Sequence, residues 1–161
     1  MAAKKTAKKT ARRTATKAKA KTKAKTAKPR AGGSALALSS ASPSLTVNDF
    51  DKSLAFYRDV LGFKVGETWK DPAGKPMGAE LKAGGVTFWI GQDDWKKGRD
   101  RKKGEGFRMF CMTKSVDKIA DAIRSKGGRL DLEPTDQEWG LREIALTDPD
   151  GFKITFAANR R

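Results

Sequence analysis

The sequence predicts an α+β fold made of two tandem βαβββ modules behind a disordered basic tail. Three observations predict it. A segment repeats: moved 66 positions along the chain, Asp51-Lys52 meets Asp117-Lys118, Arg58 meets Arg124 and Gly62 meets Gly128. In both copies the apolar residues alternate between the two-residue period of a strand and the spacing of an amphipathic helix. Charge is also partitioned. Of 35 basic and 19 acidic residues in 161, residues 1–30 hold 13 basic and no acidic ones. The remainder has 22 basic against 19 acidic residues, so most of the +16 net charge sits in the tail.

The tail comes first. Lys4, Lys5, Lys8, Lys9, Arg12, Arg13, Lys17, Lys19, Lys21, Lys23, Lys25, Lys28 and Arg30 are spaced by Ala and Thr, with no large apolar side chain after Met1. Nothing there offsets the entropy of ordering, and like charges repel, so the segment is expected to be disordered and extended. Its composition resembles the Lys/Ala/Thr-rich tails of linker histones and tailed bacterial histone-like proteins. That implies sequence-independent contact with nucleic-acid phosphates through counterion release. The scarcity of Arg and Ser argues against an organellar transit peptide. Ala31 to Ser42 is a small-residue linker, which puts the tail and linker at 1–41 and a globular domain at 42–158.

The first module, 42–91, opens with a strand at 44–47. Asn48 or Asp49 caps a helix that carries Phe50, Leu54, Tyr57 and Leu61 on one face, and Gly62 ends it. Strands follow at 63–69, 77–82 and 86–90, separated by the turns Asp71-Pro72-Ala73-Gly74 and Gly84-Gly85. Residues 92–106 form a polar basic loop, read as a solvated linker in preference to a second phosphate-contacting patch. The second module, 107–158, repeats the order. A strand at 107–113 leads to a helix capped by Ser115, with Val116, Ile119, Ala120 and Ile123 on its apolar face. Strands follow at 129–132, within 137–147, and at 152–157 after the turn Asp148-Pro149-Asp150-Gly151.

Strand parity separates two faces. One parity collects Leu45, Val47, Phe88, Ile90, Met109, Cys111, Ile154 and Phe156, as expected under helices. The other collects Ser42, Ser44, Thr46, Thr87, Trp89, Arg108, Phe110, Met112, Lys153, Thr155 and Ala157, a mixed face suited to a ligand. Cys111 is the lone cysteine, so no disulfide forms within the chain, and a reducing, cytoplasmic setting is expected. No apolar run reaches the roughly 20 residues of a membrane span.

Residues 42–158 resemble the glyoxalase/bleomycin-resistance/dioxygenase group, the vicinal oxygen chelate superfamily. The resemblance rests on Val47-Asn48-Asp49, on Ser53 to Phe63, and on Thr147-Asp148-Pro149-Asp150-Gly151. It implies that the modules pair into an open, cup-shaped mixed sheet with the helices outside, and that the chain is a homodimer. It also implies where a divalent metal would bind: Ser42, Trp89, Arg108 and Thr155 occupy the matching positions. These offer two hydroxyls, an indole and a guanidinium in place of imidazole or carboxylate, and the chain has no histidine. Glu67, Glu80 and Glu143 read as outer or edge-strand charges, and no carboxylate pair stands out as an acid/base couple. The expectation is therefore no metal and no cofactor, and binding in preference to catalysis.

The expected ligand wall is Thr46, Trp89, Arg108, Phe110, Lys153 and Thr155, stacking a planar small molecule and pairing an anionic group with Arg108 and Lys153. Trp69, Trp95 and Trp139 are placed at loops or edges, near the mouth or in ordinary packing. The leading reading is a metal-free small-molecule-binding protein tethered to nucleic acid by its tail, which would place it at a nucleoid. A DNA-associated accessory protein whose domain mainly dimerises is the alternative. A metal-dependent lyase or dioxygenase is disfavoured, and a metal-free isomerase or lyase using Tyr57 or one of the glutamates ranks last.

Overall fold

The computed structural model describes residues 39–160, so the thirteen tail cations lie outside the described residues. Two four-stranded mixed sheets carry the chain. Strands β1 (Ser44–Val47), β2 (Lys64–Lys70), β3 (Pro76–Ala83) and β4 (Val86–Gln92) form the first, in the order β1-β4-β3-β2. Strands β5 (Arg108–Met112), β6 (Leu132–Asp136), β7 (Leu141–Thr147) and β8 (Lys153–Asn159) form the second, in the order β5-β8-β7-β6. The first and last strands of each module run parallel and the other pairs antiparallel. The repeat survives in the register. Ser44 pairs with Trp89 and Phe110 with Thr155, each 66 positions apart from its counterpart.

Helix α1 (Phe50–Ala55) starts at Asp49, whose carboxylate accepts the Lys52 backbone N–H at 3.0 Å; this decides the cap between Asn48 and Asp49. The helix does not continue as an α-helix to Leu61. Residues Phe56–Val60 form a π turn, with the Leu61 N–H reaching the Phe56 carbonyl at 3.1 Å. The wider turn accommodates an extra residue, and Gly62 then closes it at φ +80°. Helix α2 (Val116–Ser125) buries Val116, Ala120 and Ile123 as its spacing predicts; Ser115 stands at its start in extended conformation without a side-chain capping bond. Each large apolar side chain so buried stabilises the fold by about 1.5–3 kcal/mol.

All eight residues of the apolar parity are buried, and they join one core with Phe50, Tyr57, Phe63, Ile144 and Leu146. Tyr57, Phe63 and Phe88 pack edge-to-face at 5.1–6.1 Å between ring centroids. The strand expected at 129–132 lies instead at Leu132–Asp136. Pro134 argues against a strand there, yet β6 is an edge strand with a register shift between Leu132 and Thr135, where a missing N–H costs no ladder bond. The loop 92–106 is likewise more than a solvated linker. Asp93 is buried and accepts from Arg101 at 3.2 Å and from Lys103, whose side chain is itself buried. Among the described residues no helix is long and apolar enough to cross a membrane.

Candidate functional site

The two motifs at the ends of the domain bond to each other. The Asn48 N–H and Ser53 hydroxyl both donate to the Asp150 carboxylate at 2.7 Å, and the Tyr57 hydroxyl donates to Asp148 at 2.7 Å. Asp148 also accepts the N–H groups of Asp150 and Phe152, which shapes the turn between β7 and β8. Burial raises the Tyr57 phenol far above its ordinary pKa, with the neighbouring Asp148 adding to the shift, so it remains a donor. These residues clasp the first module's helix to the second module's turn. Their role is structural.

The helix-free faces hold the exposed large apolar side chains Trp69, Trp89, Phe110 and Met112. On the first sheet Trp69 meets Trp89 edge-to-face, 6.3 Å between centroids. Gly78 makes room for this, since a Cβ there would stand 2.1 Å from the Trp69 indole. Glu80 faces Trp89 across the strands, and its carboxyl is held below the usual range by Lys82, 2.8 Å away. On the second sheet Arg108 is registered beside Lys153, and Phe110 beside Thr155.

The six expected wall residues do not share a single recess. Arg108 and Lys153 line a cavity of about 600 Å³ with Lys102, Phe107 and Asp150. Thr46 belongs to one of about 350 Å³ beside Gln92 and Lys97. Phe110 lines a third of about 360 Å³ with Pro43 and Val86, and Arg108 borders this one as well. Trp89 is 43% exposed, whereas Thr155 is only 1% exposed. Of the other tryptophans, Trp69 lies on the edge strand β2 and Trp139 in the turn before β7. Trp95 sits in the loop at φ 59° with the Arg99 guanidinium 4.6 Å from its ring.

Glu143 corrects the sequence reading. It is no edge charge: it lies on the interior strand β7, is 6% exposed and accepts the Trp139 indole N–H at 2.9 Å. Its alternation with Ala145 and Thr147 was the one available signal that it shares the mixed face. The positions matching the family's metal ligands are a poor fit to a metal. Ser42 precedes β1, Trp89 packs on Trp69, Arg108 is a permanent cation and the Thr155 hydroxyl is buried without a partner. Burial pushes the Cys111 thiol up, away from the thiolate a metal would need.

Two βαβββ repeats with helix-free faces and clasped termini define a double-module α+β protein. The chain belongs to the Glyoxalase/Bleomycin resistance protein/Dioxygenase superfamily, whose model matches residues 38–156. It is 32% identical over 119 residues to a probable lactoylglutathione lyase of Synechocystis, covering 68% of this chain and 87% of that protein. It is 30% identical over 131 residues to a lactoylglutathione lyase of Haemophilus influenzae, covering 72% and 89%. Among solved structures, a glyoxalase-related enzyme from Clostridium phytofermentans aligns with a TM-score of 0.64 at 16% identity, covering 79% of this chain and 99% of that one. The antibiotic binding protein TnmS3 from Streptomyces aligns with a TM-score of 0.60 at 23% identity, covering 77% and 98%. At these identities the two structures show a shared fold.

Proposed function

We propose that the chain holds a planar small molecule on its helix-free faces without a metal, and that its basic tail keeps it on nucleic acid. One observation carries the first half: the four positions matching the family's metal ligands are Ser42, Trp89, Arg108 and Thr155. A hydroxyl pair, an indole and a guanidinium do not make the imidazole–carboxylate set that Zn²⁺, Ni²⁺ or Fe²⁺ takes. The lyase relatives share the scaffold, and TnmS3 is a relative in fold whose name describes holding an antibiotic. In this chain Phe110 stacks the ligand beside Arg108 and Lys153, which pair with its anionic group, and Thr155, next to Phe110 in register, hydrogen-bonds it; Trp89 and Thr46 offer a second stacking and hydrogen-bonding surface on the first sheet. The exposed Trp69, Trp89, Phe110 and Met112 favour a homodimer in which a second copy closes the cup.

Residues 1–41 serve as tail and linker and 42–158 as the ligand-binding domain. The tail's thirteen cations support nucleic-acid tethering and a nucleoid-associated, cytoplasmic location. The same charge favours a second reading, a DNA-associated accessory protein whose domain mainly dimerises. Metal analysis of purified protein, with a thermal-shift screen of aromatic anions, tests both. Negligible zinc, nickel and iron with a ligand-induced rise in melting temperature is expected. One tightly held metal per chain would overturn the metal-free reading, and a screen with no stabilising compound would favour the second reading.

A further inference from the structure

Register along the second sheet sorts its helix-free face into three rows. Arg108, Lys153 and Thr147 form the first, Phe110, Thr155 and Ala145 the second, and Met112, Ala157 and Glu143 the third. The first and third rows are four residues apart on β8, about 13 Å at ~3.3 Å per residue. One end of this face is cationic and the other anionic, with Phe110 between them.

The anionic end is unusual. Glu143 is 6% exposed, and its partner is a neutral indole N–H from Trp139. The adjacent cation, Arg142, points to the opposite face, where it bonds Asp117 and Asp136. A carboxylate this withdrawn from water normally has a charged or multiply donating partner. Diagonally beside it, the Thr155 hydroxyl is 1% exposed and has no hydrogen-bond partner. On the face that no helix covers, one hydroxyl is thus left without a partner and the carboxylate beside it has a single neutral donor. The flanking side chains Phe110, Met112 and Trp139 are 50–66% exposed and supply apolar and aromatic contact.

We propose that Glu143 and Thr155 form a subsite for a protonated nitrogen, an amidinium or ammonium group, carried by a planar apolar ligand. The ligand lies along β8, with its cationic end at Glu143 and any acidic end toward Arg108 and Lys153. The carboxylate supplies the charge-assisted bond, Thr155 accepts a second N–H, and Phe110 and Trp139 contact the ring system. This rests on the ligand-binding reading above and narrows it from planar molecules in general to those bearing a cationic nitrogen.

The full chain is titrated calorimetrically with 2-naphthamidine and, separately, with 2-naphthoate. The amidine is expected to bind, and Glu143→Gln to lower the amidine-to-naphthoate affinity ratio about tenfold or more. Thr155→Val, which keeps the side-chain shape, is expected to weaken the amidine while raising the melting temperature, because it removes an unpaired buried hydroxyl. Equal amidine affinity in wild type, Glu143→Gln and Thr155→Val would overturn the subsite. Binding of naphthoate without amidine would overturn it too, while leaving ligand binding intact. If neither probe bound, both would fall.

Discussion

The Tyr57 hydroxyl donates to the Asp148 carboxylate at 2.7 Å across 91 residues of sequence, fastening the first helix to the last turn. Tyr57→Phe removes the donor and leaves the carboxylate short of a bond in a buried site. Urea unfolding should show a loss of about 1–3 kcal/mol. A change below a few tenths would mean that the clasp is incidental.

The same carboxylate gives a pH signature. Burial holds Asp148 above the ordinary aspartate range despite the bonds it accepts from Tyr57, Phe152 and Asp150. A raised folded pKa favours folding most below the unfolded value, near ~3.9, and that contribution fades as pH rises through the folded value. Wild type should therefore lose stability relative to Asp148→Asn from about pH 4 upward, read as melting temperatures across pH 3–8.

Asp93 has the opposite sign. The hydrogen bond from Lys103, then the Trp95 backbone N–H, hold its carboxyl below the usual range. Its stabilisation is present above the unfolded pKa and is lost as pH falls through the folded one. The melting-temperature gap between wild type and Asp93→Asn should be widest at neutral pH and close as pH falls below about 4. A gap constant from pH 7 to 3 would refute the pairing.

Two glycines form a matched test. A Cβ on Gly104 would stand 1.8 Å from the Gly151 carbonyl oxygen, where the linking loop crosses the final turn, whereas Gly85 faces open space. Gly104→Ala should destabilise by at least about 1–3 kcal/mol. Gly85→Ala should leave chemical denaturation nearly unchanged.

The tail prediction concerns binding. Duplex DNA affinity of the full chain should fall with salt at a log–log slope of about −0.9 per phosphate neutralised. Removal of residues 1–30 should abolish most of that dependence in gel shifts and leave the melting temperature of the domain in place. A slope unchanged by the truncation would move nucleic-acid contact, if any, to the domain.

The repeat, the helix faces and the strand parity were readable from local pattern, because side-chain direction follows backbone period. Leu45, Val47, Phe88, Ile90, Met109, Cys111, Ile154 and Phe156 are buried for that reason. So is the 66-residue offset that recurs between Ser44–Trp89 and Phe110–Thr155. The π turn at Phe56–Val60 and the placement of β6 around Pro134 were not, since both depend on neighbouring strands and helices that override local preference.

The amino-acid order alone determined the two-module architecture and the segregation of charge into the tail, because residue identity and short-range periodicity suffice for each; the chemical poverty of the metal positions followed once the family resemblance said which positions to read. Tertiary structure decided which polar groups meet: Asp148 with Tyr57, Asp93 with Lys103, and Glu143 beside an unpartnered Thr155. The physical reason is that the worth of a charge or hydroxyl depends on what surrounds it once water is excluded, and those surroundings are assembled from strands far apart in the chain.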